Sequence, residues 1–250
     1  MRRLPAVLIV LAAIALCVAG CSSSASGPSG SDGGPDVFDI PGLAAFYEFN
    51  GDFTDASGNG HDFISAMRMH FITDHNGSLE SALYLDDSNA INIADHSDFD
   101  FIGAFSVAAW VKADIENSAY CCLVDKGYAD GAWSVGVGGT VTPARKALYL
   151  YVGSQSQSFY LNEAIPVGQG TWVHFAVCFN DTTDQATFYI NGEYAHTQTA
   201  ATPATLGVNA RDLLIGNSHW DDEYAGGVDQ LALFGRELTA DEVEVLYEYD

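Results

Sequence analysis

Basic residues are scarce in this chain. Its 250 residues include 9 Lys and Arg against 33 Asp and Glu, a formal net charge of -24. A nucleic-acid binder needs a basic footprint to displace counterions from the phosphate backbone, so that class is excluded as the main role. Attraction to anionic lipid through protein charge is excluded for the same reason. The apolar run Ala6–Ala19 is too short for a comfortable transmembrane helix, which needs about 20 residues. The phosphate loop, the dinucleotide fingerprint, the Gly-x-Ser-x-Gly elbow and the zinc-helix motif are all missing, which removes the commonest cofactor and hydrolase signatures. Apolar material is not lacking. At 48% hydrophobic and 12% aromatic, the chain has enough for a proper core, and wholesale disorder is excluded. An acid excess on such a core fits an exported surface protein, a divalent-cation binder or life in high salt.

The first residues read as an address. Arg2 and Arg3 precede the short apolar run Ala6–Ala19, which closes on small residues, the pattern of a secretory signal. Val18-Ala19-Gly20-Cys21 resembles the bacterial lipobox. That resemblance implies a signal peptide over residues 1–20, cleavage after Gly20 and a lipid anchor on Cys21. Residues 21–41 then form an anchored linker, rich in Ser, Gly and Pro over Ser22–Asp36 and too polar to fold. The expected location is the cell envelope, lipid-anchored at the outer membrane or cell surface. An exported compartment permits disulfides. Cys178 could then pair with Cys121 or with Cys122 (Cys122–Cys178 is the pairing carried forward), the other reading being buried thiols that act as small hydrophobes.

From Ala44 onward the chain breaks into short β-branched and aromatic segments. Expected strands are Ala44–Phe49, Ser81–Leu85, Ala90–Ile93, Phe105–Lys112, Cys121–Lys126, Ala132–Val137, Ala147–Val152, Ser158–Leu161, Trp172–Asn180, Gln185–Ile190, Glu193–Gln198, Leu213–Gly216 and Val228–Phe234. Several alternate with period two, as in Phe105-Ser-Val-Ala-Ala-Trp-Val-Lys. Asn191-Gly192 is a hairpin signal, since those residues supply the two positive φ angles of a type I′ turn. One helix stands at the end. Thr239 and Glu242 make a capping box, and Val243, Leu246 and Tyr247 share a face. Many short strands and a single helix indicate a sandwich or barrel.

Several segments then read together: Gly42-Leu-Ala-Ala-Phe-Tyr-Glu-Phe-Asn-Gly-Asp, Asp55-Ala-Ser-Gly-Asn-Gly-His, Gly170-Thr-Trp-Val-His-Phe-Ala-Val, Tyr189-Ile-Asn-Gly, and Gly226-Gly-Val-Asp-Gln-Leu-Ala-Leu-Phe-Gly-Arg-Glu-Leu-Thr-Ala-Asp-Glu-Val. In this order they resemble the LamG-like jelly-roll domains of the concanavalin A-like lectin/glucanase superfamily. The resemblance implies an all-β, two-sheet antiparallel jelly-roll sandwich over residues 42–250, with a short C-terminal helix. Such a fold hosts many functions, so function has to be argued from the site.

Three kinds of site bear on function. The loop Asp52–Asp62 is acidic and Gly-rich, as a hard cation's oxygen shell requires. The resemblance sets this loop beside Gly227-Val228-Asp229 and implies a structural Ca2+ held by Asp55, Asn59 and Asp229, with a carbonyl from Gly60. Gln230 stands where the family often has a second acid. Hydrolysis needs two carboxylates across the scissile bond, and the Glu-x-Asp-x-x-Glu signature of the related glucanases does not occur, so no enzyme is expected. Sugar binding uses exposed aromatic faces and nearby polar groups. The candidates are Tyr128, Trp133, Tyr149, Tyr151, Tyr160, Trp220 and Tyr224. Of these Trp220, Tyr224 and Tyr128 are singled out, the first two because they sit in the acidic loop His219-Trp-Asp-Asp-Glu-Tyr. His174 and Trp172 read as core. The expectation is a non-catalytic surface recognition module for a glycan, or alternatively for an envelope or extracellular protein, with membrane attachment through the lipid and no nucleic acid.

Overall fold

A computed structural model describes residues 35–63, 69–86, 90–114, 121–142, 145–153, 157–165 and 170–250. The expected signal peptide, Cys21 and most of the linker lie outside the described residues. The strands are β1 (Leu43–Tyr47), β2 (His70–Ile72), β3 (Ala82–Leu85), β4 (Ile91–Ile93), β5 (Ala104–Ala113), β6 (Cys121–Asp125), β7 (Trp133–Thr142), β8 (Arg145–Val152), β9 (Gln157–Ile165), β10 (Val173–Asn180), β11 (Gln185–Ile190), β12 (Glu193–Thr199), β13 (Leu213–Ile215) and β14 (Gly226–Phe234), followed by the helix α1 (Ala240–Glu248).

They form two antiparallel sheets. The larger runs β12-β11-β10-β5-β14-β3-β2, with β1 on the second half of β14. The smaller runs β4-β13-β6-β7-β8-β9. Alternation does the sorting. Val107, Ala109 and Val111 of β5 and Val135, Val137, Leu148, Leu150 and Phe159 of the smaller sheet all enter one core between the sheets, because successive strand side chains point to opposite faces. Asn191 and Gly192 carry the positive φ values of the expected hairpin turn.

The outer face of the larger sheet is also apolar. Ala108, Ala176, Cys178, Ala232 and Phe234 gather there with Leu238, Val243 and Leu246 of the C-terminal segment. The capping box holds the helix start, with Thr239 Oγ1 accepting from Glu242 N–H and Glu242 accepting from Thr239 N–H. Val37 and Ile40 complete this second cluster. The folded unit therefore begins at Pro35, ahead of the expected boundary at Gly42. The tail of the expected linker is a 3-10 turn, Val37–Asp39, that packs.

The disulfide expectation is corrected. Cys121, Cys122 and Cys178 are buried and no disulfide joins them. Cys178 sits in the cluster outside the larger sheet, while Cys121 points into the core between the sheets. Cys122 belongs to the smaller sheet and places its Sγ 3.1 Å from Ser134 Oγ. The three thiols occupy different layers of the sandwich, and stacked sheets lie about 10 Å apart, beyond disulfide reach. Trp172, expected in the core, is only half-buried, and Lys112 Nζ lies 5.3 Å from its ring centroid.

Candidate functional site

Among the described residues no α-helix covers the outer face of the smaller sheet, and a row of tyrosines lines it. Ser134 and Gly136 of β7 stand opposite Tyr151 and Tyr149 of β8, and Tyr149 and Tyr151 stand opposite Tyr160 and Ser158 of β9. None of these belongs to either apolar cluster, so the period-two pattern puts them all outside. Tyr149 lies flat and buried over Gly136. A Cβ on Gly136 would fall 2.4 Å from Tyr149 Oη and 2.3 Å from the Cys121 carbonyl, so only glycine allows this approach. Tyr151 packs on Tyr149, with ring centroids 4.8 Å apart, and on Tyr128 at 5.0 Å. Tyr160 meets Tyr151 edge-on, with their hydroxyls 3.1 Å apart. Tyr128, Tyr151 and Tyr160 are each partly exposed.

Asp125 organises the end of this face. A bulge in β6 between Cys122 and Val124 turns both Leu123 and Val124 into the core, which brings Asp125 out beside Cys122. Asp125 is fully buried. Its Oδ1 accepts from the N–H groups of Gly127 and Tyr128 and so fixes the 3-10 turn Tyr128–Asp130. Its Oδ2 accepts from His219 N–H at 2.9 Å and lies 2.6 Å from His219 Nδ1. One carboxylate thus ties Tyr128 to the loop that carries Trp220. Trp220 is 59% exposed, and its N–H donates to Ser218 Oγ. Asp222 accepts from the same hydroxyl. Burial holds the Asp222 carboxyl above the usual carboxylate range, and the charges of Asp125 and Asp221 push the same way, against the Ser218 hydrogen bond. Cys122 N–H donates to the Asp222 carbonyl, so the loop runs on as an edge of the sheet.

Two of the three singled-out aromatics, Tyr128 and Trp220, therefore flank one carboxylate. The third does not join them. Tyr224 is fully buried in the core, and its hydroxyl donates to the Gly227 carbonyl. Trp133 is core as well, stacked against Phe101 and Phe105. Nothing in the sequence pattern marks Asp125 and His219 as site organisers. The signal for the tyrosines is the spacing Tyr149-x-Tyr151, with Leu150 between them.

The residues expected to hold calcium do not fit that ion. Asp55 Oδ1 accepts from Phe46 and Ser57 N–H, and its Oδ2 accepts from His61 N–H, so amide donors surround the carboxylate where a cation would compete. Asn59 turns its Nδ2 toward the Leu43 and Ala44 carbonyls. Gly60 provides the positive φ that closes this turn. Asp229 lies elsewhere, 2.8 Å from His75 Nδ1 under the Trp110 ring. The loop is a hydrogen-bonded clasp on β1.

Comparisons with known proteins agree with this architecture. No curated protein matches the sequence. Among solved structures, the chain is similar to the binding domain of Paraclostridial Mosquitocidal Protein 1, at 14% identity, 85% coverage of this chain, 52% of that one and a TM-score of 0.67. It is similar to domain 4 of AbnA, a GH43 extracellular arabinanase from Geobacillus stearothermophilus, solved with arabinotriose, at 22% identity, 82% and 98% coverage and a TM-score of 0.61. The botulinum neurotoxin serotype C1 binding domain gives 14% identity, 85% and 52% coverage and a TM-score of 0.61. The chain spans about half the length of the two toxin domains. At these identities the likeness establishes the fold. The family model matches residues 85–244, most of the described sandwich, and the chain belongs to the concanavalin A-like lectin/glucanases superfamily.

Proposed function

We propose that this protein is a non-catalytic carbohydrate-binding module held at the cell envelope by a lipid on Cys21. The glycan lies on the outer face of the smaller sheet, across Tyr128, Tyr151 and Tyr160, with Trp220 at its rim. One observation carries this reading: the sandwich covers one outer face with α1 and leaves on the other a continuous tyrosine surface over a buried carboxylate. Sugar rings stack on aromatic faces, and phenol hydroxyls and carboxylates supply oriented polar partners. The absence of catalysis is supported by Asp125, whose two oxygens are taken up by four donors. Glycoside hydrolysis asks for two carboxylates that reach the scissile bond. The structures solved for AbnA domain 4 with arabinotriose and for the toxin binding domains support a binding role.

A glycan array followed by calorimetry tests the site. Tyr151→Ala is expected to weaken a saturable hit by about tenfold, the loss of one stacked ring, in a variant that stays folded and unfolds cooperatively. A folded sample that binds no glycan, or a Tyr151→Ala variant that binds as tightly as the parent, would reject the reading. The blank array would move weight to a protein partner. The anchor is tested separately. Labelled fatty acid should enter the parent and be lost in Cys21→Ala, and incorporation that survives the substitution would reject it.

A further inference from the structure

Two histidines and an aspartate converge away from the tyrosine face, where the loop after β1 meets the 3-10 turn Ser97–Phe99 that precedes β5. His61 Nε2 lies 2.9 Å from Asp98 Oδ2, and His96 Nδ1 lies 3.4 Å from the same oxygen. One ligand atom from each of the three stands within 4.8 Å of the others. We propose that His61, His96 and Asp98 form a binding site for a divalent transition metal of the Zn2+ type, with water in a fourth position.

The donor set argues for this cation class. Two imidazoles and one carboxylate suit Zn2+, whereas Ca2+ and Mg2+ prefer oxygen alone. Zn–N and Zn–O bonds of about 2.0–2.2 Å put neighbouring ligand atoms of a tetrahedral site roughly 3.3–3.5 Å apart. The two separations given above need only a small adjustment to meet that. The hydrogen bond from His61 to Asp98 is sufficient for that pair alone and does not require a second imidazole on the same oxygen. The two histidine rings stand 4.6 Å apart at a 57° tilt, edges toward the shared carboxylate.

The site is also positioned. His61 is 6% exposed. Its N–H donates to Asp55 Oδ2, its carbonyl accepts from Tyr47 Oη, and its ring packs on Phe99 at 4.6 Å. The clasp that fails as a calcium site thus serves to fix one imidazole. The other two side chains are open to solvent, His96 at 51% and Asp98 at 42%. That leaves an entry path and room for the fourth ligand. Binding through His96 Nδ1 gives up its contact with Asp98 N–H, a 3.2 Å hydrogen bond at an exposed turn. The net charge of -24 raises the local cation concentration. An ion held here would clip the loop after β1 to the entry of β5.

The test is Zn2+ titration by calorimetry on the whole protein after chelator treatment, with Co2+ absorption as a second readout. One Zn2+ per chain is expected, with the visible d–d bands of a four-coordinate Co2+. His96→Ala and Asp98→Asn, both at exposed positions, should each weaken binding by about tenfold or more, since even outer-shell partners of metal ligands cost that much. Their metal-free forms should stay folded and unfold cooperatively, with midpoints lowered by no more than the lost hydrogen bond at the turn, which separates lost ligands from lost fold. The proposal is overturned by no saturable uptake, by uptake of unchanged affinity in both variants, or by uptake abolished in His219→Ala and retained in His96→Ala.

Discussion

His174 is buried on the outer face of the larger sheet with no hydrogen-bond partner for Nδ1 among the described residues, its ring edge against Trp110 and near Tyr247. Burial, with the nearby His75 adding to it, lowers its pKa from 6.5 to about 3. A lowered pKa means the neutral form is the stable one in the fold. The corresponding stability is complete above pH 6.5 and is lost as pH falls toward 3, at up to about 1.4 kcal/mol per pH unit. Asp229, across the Trp110 ring, does the opposite. Burial raises its carboxyl from 3.8 to about 6, against the lowering hydrogen bond from His75. Its contribution is complete below pH 3.8 and is lost as pH rises through 6. Between about pH 4 and 6 the two slopes oppose each other. Urea unfolding at several pH values should show this by difference from the parent. His174→Leu removes the acid-side loss, so its stability relative to the parent rises as pH falls from 6 to 4. Asp229→Asn leaves the His174 loss unopposed, so its relative stability falls over the same window. Profiles that stay parallel to the parent would show that neither group titrates as its surroundings indicate.

At the scale of elements, sequence was a good guide wherever one periodicity ran without interruption. Ala104–Ala113 and Gln185–Ile190 follow their apolar alternation, and the Asn191-Gly192 turn and the Thr239 capping box form as their chemistry requires. Short or irregular pieces escaped. His70–Ile72 is three residues long and has no alternation to show, yet it pairs with Ala82–Tyr84 at the edge of the larger sheet. Val37, Phe38 and Ile40 are a few apolar residues at the end of a polar tract, with no strand or helix period to place them, and they pack on the cluster under the helix. The candidate site was half legible for the same reason. Tyr149 and Tyr151 announce a face through their spacing. Asp125 does not, because the bulge in β6 breaks the period on which its direction depends. Tyr224 misleads because a large aromatic in an acidic loop suggests exposure, whereas the chain folds that ring into the core with its hydroxyl donating to the Gly227 carbonyl.

Across the whole molecule, the two outer faces differ in what covers them, and the charge is nearly all of one sign. The larger sheet spends its outer face on α1 and residues 37–40, and the smaller sheet leaves Tyr128, Tyr151 and Tyr160 partly exposed. Asp221, Asp222 and Glu223 stand in the same loop as Trp220, and the total of -24 adds a negative field around them. Stacking on tyrosine does not distinguish a neutral sugar from its sulfated or sialylated form. The field does, because an anionic ligand must approach like charge. Selectivity for neutral glycans is therefore expected of the molecule rather than of any one residue. Paired glycans of the same backbone, one neutral and one sulfated, measure it directly. The neutral partner should bind more tightly at about 0.05 M salt, and the gap should narrow at about 0.5 M, where the screening length falls to a few ångströms. The narrowing should come from tighter binding of the sulfated partner, since the neutral one carries no charge to screen. A sulfated ligand preferred at low salt would place the binding surface away from this acidic rim, and with it the role given to the tyrosine face.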